Sequence, residues 1–275
     1  MEMDKRVALT NLQPEDIIHP LEKSAIIDIL NKIPGGKAAL NGISELYGKY
    51  VAVDYMGNGV VANNDNMPRL YAQLCDTCNI IGLTEIPELA TEWAYMISSY
   101  TVGGKKKRIV ISSGAVDLLT ENEIPFMLGE EIGHIVSGHL PYHMLLELIY
   151  TSALENTTLG AVAGLIRMPM LDWYRKSHYT ADRVALLCCQ DINVALQCMM
   201  KIAGLPKKYF DKVEPDVFLS QSREFEDINN DGWAAKMMRN FLLRSASMPW
   251  MVDRAKQLVD WYNSGEYQAI LDKNR

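Results

Sequence analysis

The sequence predicts an α+β protein, mainly helical, with a small β-sheet placed before its key helix. Three observations carry this. From residue 120 onward, apolar residues recur at helical spacing in the stretches 121–139, 142–156, 172–189, 191–203, 207–222, 232–246 and 249–262. Ahead of them, two strand-patterned runs, Leu89 to Val102 and Arg108 to Ser112, flank Gly103-Gly104 as a turn. No linker divides the chain, so 37–275 reads as a single domain behind an N-terminal extension at 1–36.

The extension carries a short amphipathic stretch (Ile17, Ile18, Leu21, Ile26, Ile27, Leu30) ended by Pro34-Gly35-Gly36. Helical patterns follow at 37–48 and 67–82. Cys75-x-x-Cys78 falls in the second, among Leu70, Leu74 and Ile81, and lacks a second pair at zinc-finger spacing. Both thiols therefore read as core residues, as do Cys188 and Cys189. The basic run Lys105 to Arg108 reads as a solvated turn and strand start.

The 275 residues suffice to bury a substantial core, and the net charge of −7 argues against a nucleic-acid partner, which needs clustered Lys and Arg. Five cysteines, an odd number, fit a reducing compartment. The charged start, Met1 to Arg6, has no apolar stretch behind it, so no secretory signal is expected. The most apolar later stretch, Leu159 to Leu171, is interrupted by Arg167 and Pro169 and is shorter than the ~20 residues a membrane span needs. A soluble, cytoplasmic protein without an integral membrane segment is the expectation, with its oligomeric state illegible.

The key helix opens at Thr120, an N-cap with Glu123 three residues on, and continues through Ile124, Met127, Leu128, Ile132, Ile135 and Val136. Glu130 and His134 stand four apart, on one face and roughly 5–6 Å from each other, as two ligands of one metal ion must be. Glu131 is rotated by roughly 100°, where its carboxylate reaches a water on such an ion without being a ligand. Gly133 permits close approach of another element, and Gly138-His139-Leu140-Pro141 marks the helix end. His139 and His143 read as local packing near that end, and His19 has no constellation around it.

The stretch Gly129-Glu130-Glu131-Ile132-Gly133-His134-Ile135-Val136-Ser137-Gly138-His139 resembles the active-site helix of the HtpX-like zinc metallopeptidases, gluzincins related to the CAAX prenyl proteases, whose pattern is H-E-x-G-H-x-x-x-G-H. Ile97 to Gly103 resembles that family's edge strand. His178-Tyr179-Thr180-Ala181-Asp182-Arg183 resembles its E-[YF]-x-A-D-R segment, and Ser247 to Arg254 its S/T-H-P-x-x-x-x-R segment. The similarity spans roughly 37–270 in the family's order, and Trp261 to Tyr267 looks like the tail of soluble members.

The resemblance implies a zincin-like metallopeptidase domain that departs from the family at three positions. Glu130 stands for the first histidine, His178 for the third ligand's glutamate, and Met248 for a histidine that stabilises the oxyanion. The first two exchanges restore the same inventory, so Glu130, His134 and His178 are the expected ligands of Zn²⁺, with a fourth position open. Glu131 is the expected general base, taking a proton from the metal-bound water and passing it to the leaving amine. Ser98, Ser99, Tyr100 and Thr101 would hold an extended peptide or protein substrate by main-chain pairing. Asp182 and Arg254 are carried over as positioning residues. Asp182 is left free to buttress His178 or His134, while its meeting with Glu130 is costly unless the metal, a proton or Arg183 intervenes. Oxyanion stabilisation falls to Tyr179, Arg254 or the metal alone. The alternative reading is a catalytically weak or inactive pseudoprotease that binds a peptide or protein.

Overall fold

A computed structural model describes residues 6–32, 35–150, 158–230 and 250–275. The expected helix at 232–246 and Met248 lie outside the described residues.

The amphipathic stretch of the extension is three pieces: α1 (Pro14–Ile17), a 3-10 turn (Pro20–Glu22) and α2 (Ala25–Lys32). Pro20 pushes His19 out of the helical region, which explains the first break. The segment is tied into the rest of the chain. Leu9 and Ile17 sit in the main core, and the Leu9 N–H donates to the Ile80 carbonyl at 2.7 Å.

After α3 (Gly36–Asn58), β1 (Gly59–Ala62) leads to α4 (Pro68–Ile81), which starts on a proline and stops at Gly82 with φ +76°. β2 (Glu88–Glu92), β3 (Ser99–Val102) and β4 (Arg108–Ser112) complete a sheet of order β1-β2-β4-β3. β2 runs antiparallel to β1 and parallel to β4, with Glu88 opposite Arg108. β3 runs antiparallel to β4, with Ser99 opposite Ile111.

The single strand expected at 89–102 is therefore two strands on opposite sides of β4. The chain leaves the sheet at Trp93 because Ala94 is bonded elsewhere: its carbonyl accepts from the Gly114 N–H at 2.7 Å, and its N–H donates to Ser113 Oγ at 3.2 Å. The turn between β3 and β4 carries the basic run, and Lys106 is paired there with Glu88.

The helices follow: α5 (Ser113–Leu118), α6 (Ile124–Val136), α7 (Leu140–Tyr150), α8 (Thr158–Cys189), α9 (Ile192–Ile202), α10 (Pro215–Asn230), α11 (Met251–Asn263) and α12 (Glu266–Asn274). α6 begins three residues later than expected. The Thr120 N–H does donate to Glu123 Oε2 (2.7 Å), but in a turn ahead of the helix, where Lys201 Nζ also donates to that carboxylate at 2.7 Å. α8 begins well before the expected 172 and runs through Pro169. The proline's cost of ~3 kcal/mol is opposed by burial of Met170 and Leu171 against Leu146.

α6 is buried along nearly its whole length and is apolar around most of its circumference, as a core helix must be. Its closest neighbour is α8. A Cβ on Gly133 would stand 2.8 Å from Ala181 Cα, and one on Gly129 2.8 Å from Ala185 Cα. The close approach expected at Gly133 is therefore present, and it brings the polar residues of α6 against those of α8. Cys78 and Cys188 lie in the main core, and all five cysteines are free thiols. No described helix is long and apolar enough to cross a membrane.

Candidate metal centre

Four elements converge on one buried point. α6 supplies Glu130, Glu131 and His134, α8 supplies His178 and Asp182, α11 supplies Arg254, and β3 supplies Ser99 and Thr101. Glu130, Glu131, His134 and His178 are each between 4% and 6% exposed, which excludes solvated side chains at these positions.

His178 Nδ1 lies 3.1 Å from Glu130 Oε1 and 3.3 Å from His134 Nε2. The ligand atoms of the three residues all lie within 4.8 Å of one another. With bonds of about 2.0–2.1 Å, two ligands on a tetrahedral zinc ion stand about 3.3 Å apart, so the donor set has the spacing and chemistry of a zinc site. Burial, with the neighbouring histidines, holds His134 well below the usual imidazole range, and burial also lowers His178. Both rings are thus neutral, the form a metal needs. His178 Nε2 is buried and lacks a hydrogen-bond partner.

Arg254 organises the carboxylates. Its Nε donates to Asp182 Oδ2 at 2.9 Å and its Nη2 to Asp182 Oδ1 at 2.5 Å, while Nη2 also lies 2.6 Å from Glu130 Oε1. Asp182 therefore buttresses neither histidine. The cation between the two acids is Arg254 and not Arg183, whose guanidinium donates to the Ile18 carbonyl and lies over the Trp261 ring. Burial favours protonation of both acids. At Glu130 it is outweighed by Arg254 and His178, which hold the carboxyl at about 2. At Asp182 burial prevails over Arg254 and, with repulsion from Glu130, raises the carboxyl to about 6.

Glu131 faces the other way, into β3. Ser99 Oγ donates to its Oε1 and Thr101 Oγ1 to its Oε2, each at 2.6 Å. Burial and the neighbouring Glu130 charge push its carboxyl up to about 7, against the lowering effect of those hydroxyls. A carboxyl that titrates there is poised for general base work near neutral pH. Of the four residues expected to contact substrate, Ser99 and Thr101 thus spend their side chains on Glu131. Tyr100 bonds Glu92 at 3.0 Å on the opposite face, and Ser98 precedes β3, paired through its backbone with Ser112. All four still line a cleft of about 640 Å³ that also exposes Glu130, Glu131, His134 and His178. Because β3 is the last strand of the sheet, an extended chain in that cleft would lie along an edge strand.

Two histidines read as local packing are part of the cluster. His139 Nδ1 stands 2.9 Å from His134 Nδ1, and His143, bonded to Ser177 at 3.0 Å, packs its ring 4.8 Å from that of His134. Their spacing of four, across the start of α7, was a helical-face signal of the same kind as Glu130 and His134. Tyr179 bonds Asp253 at 2.5 Å and is not among the residues lining the cleft, whereas Tyr174 and Arg254 are.

Comparison with known proteins bears on these residues. A family model described as Peptidase family M48 matches residues 90–262, the interval that holds Ser99, Thr101, Glu130, Glu131, His134, His178, Asp182 and Arg254. The chain is also 28% identical over 272 residues to the plastoglobule-localized metallopeptidase 48, chloroplastic, of Arabidopsis thaliana, covering 96% of this chain and 77% of that protein. No solved structure matches it.

Proposed function

The chain belongs to peptidase family M48, and on that premise we propose that it is a zinc-dependent endopeptidase with Glu130, His134 and His178 as ligands and Glu131 as general base. The observation that supports this best is the convergence of a carboxylate and two neutral imidazoles at 3.1–3.3 Å, beside a carboxyl held near 7. The reducing, cytoplasmic setting read from the sequence suits five free thiols.

Zinc, when bound, supplies a Lewis acid that polarises the scissile carbonyl and brings the pKa of a coordinated water to about 7. The protein supplies the rest. Glu131, fixed by Ser99 and Thr101, accepts the proton of the attacking water and returns it to the leaving amine. Arg254 keeps Glu130 ionised. The free edge of β3 holds the peptide or protein substrate extended. Tyr174, its phenol kept protonated by burial, and Arg254 both line the cleft and are the protein groups that would be tested as donors to the developing oxyanion beside the metal.

Metal analysis of protein purified without added zinc tests the ligand set. About one zinc per chain, lost in His134→Ala, is the expected result. Less than a few tenths of an equivalent, unchanged by that substitution, would refute it. Cleavage of a peptide library by the wild type and not by Glu131→Gln then establishes the enzyme. Zinc binding without cleavage would leave the peptide-binding pseudoprotease as the function.

A further inference from the structure

One buried cluster has no part in the reaction just described. His134 belongs to two groups of potential ligands, one with Glu130 and His178 and one with His139 and His143. It meets them with opposite edges of its ring, Nε2 toward His178 at 3.3 Å and Nδ1 toward His139 at 2.9 Å. The second distance is a hydrogen-bond length, shorter than the ~3.3 Å between two ligands of one tetrahedral ion. A neutral imidazole also has only one lone pair to give. The contact with His139 therefore reads as a hydrogen bond and not as half of a second metal site.

Beyond His139, the chain of contacts continues into the N-terminal extension. His139 is 2% exposed, and its Nε2 lies 3.0 Å from Glu22 Oε1, although the alignment falls short of a full hydrogen bond. Glu22 is itself fixed. Thr180, two residues after His178, donates its hydroxyl to the other carboxylate oxygen and accepts from the His19 N–H at 2.9 Å. The 3-10 turn is thereby pinned to α8 beside the proposed ligand set.

We propose that Glu22 and His139 are positioning residues for the metal centre. Glu22 holds His139 with its proton on Nε2, and Nδ1 of His139 then accepts from Nδ1–H of His134. The Nε2 lone pair of His134 is left for the ion, the arrangement that a carboxylate–histidine pair gives to metal-bound imidazoles in general. The carboxylate comes from the extension because Asp182, one turn from His178, is occupied by Arg254. This inference rests on the metal reading above.

The test uses the full chain with Glu22→Gln, His139→Phe and the double variant, each checked by thermal melting for an intact fold. Zinc affinity is read by competition with a chelator, and nitrogen-15 histidine spectra of the metal-free protein report the His134 tautomer. Both single variants are expected to lower zinc affinity, His139→Phe by about 10–100-fold, and to move His134 away from the Nδ1–H form. The double variant should bind no more weakly than His139→Phe alone, because Glu22 acts only through His139. Unchanged affinity and tautomer in the single variants would overturn the proposal. So would two zinc ions per chain in the wild type with one lost in His139→Phe. A wild type that binds no zinc sinks the metal reading itself, while the tautomer spectra still decide the relay.

Discussion

Replacing Glu131 by Gln should make the metal-free protein more stable at alkaline pH while abolishing cleavage. Glu131 is buried, and its carboxyl is raised from the ordinary 4.5 to about 7. Because the folded value lies above the unfolded one, the native state holds this proton more tightly. The group's contribution to stability is full below about pH 4.5 and is lost as the pH rises through about 7. At 1.36 kcal/mol per pH unit, the ionised carboxylate costs the fold about 3 kcal/mol at pH 8 and about 1 kcal/mol or less at pH 5. Gln keeps the shape, still accepts from Ser99, and lets the Thr101 hydroxyl turn to accept from its amide. The gain at pH 8 is then about 2–3 kcal/mol, or roughly 4–12 °C in Tm for a domain of this size. Thermal melts of chelator-treated wild type and variant at pH 5 and pH 8 measure it. A gap that fails to widen between the two pH values, or a variant less stable at pH 8, would show that Glu131 is not held against its ionisation.

Three further outcomes follow from the same geometry. Arg254→Met leaves Glu130 and Asp182 buried without their shared cation, and urea unfolding should show a loss of about 3–5 kcal/mol; an unchanged midpoint would mean that the two acids share a proton instead. Gly133→Ala places a methyl 2.8 Å from Ala181 Cα and should cost about 1–3 kcal/mol by forcing α6 from α8, with zinc affinity falling in parallel; a neutral substitution would deny the close helix contact. The kcat/KM of the zinc-loaded wild type should rise with pH as Glu131 loses its proton, through an apparent pKa below the value of about 7 that the metal-free centre gives it; an ascending limb that stays unchanged when Glu130 is replaced by Gln would remove Glu131 as the base.

Much of the site was legible because helical spacing is a strong constraint. Glu130 and His134 four apart and Glu131 between them fix which side chains share a face, and α6 presents them as that spacing requires. His178 was legible only through its likeness to a family segment, since no local periodicity links α8 to α6. Arg254 was identified, but not that it would bridge Glu130 and Asp182, because an ion pair between α11 and α8 depends on packing that spacing does not encode. Ser99 and Thr101 alternate in a strand and so share a face, which the sequence shows; that the shared face would meet Glu131 depends on β3 lying beside α6. The strand at 89–102 was misread because β propensity continues through Trp93 to Met96, and only the competing bonds of Ala94 break it. Glu22 was not legible at all: it lies 112 residues from His134 along the chain, and it is placed by the docking of a 3-10 turn.

In the proposed metal centre, the exchange of Glu130 and His178 would change the charge balance as well as the ligand order. Arg254 contributes one positive charge between Glu130 and Asp182, so the trio carries a net charge of −1 when both acids are ionised. Within the trio, the Glu130 charge is what, after burial, raises Glu131, and Arg254 offsets part of that. A divalent ion among Glu130, His134 and His178 brings the trio to +1, and an ionised Glu131 then brings the whole centre to neutrality. Burying charge is tolerable only when it is compensated, so the metal-loaded centre favours the basic form of Glu131 and the empty centre favours its protonated form. Base strength at Glu131 and metal occupancy are in this way one linked equilibrium. Zinc added to the melts at pH 8 should accordingly remove most of the stability difference between wild type and Glu131→Gln.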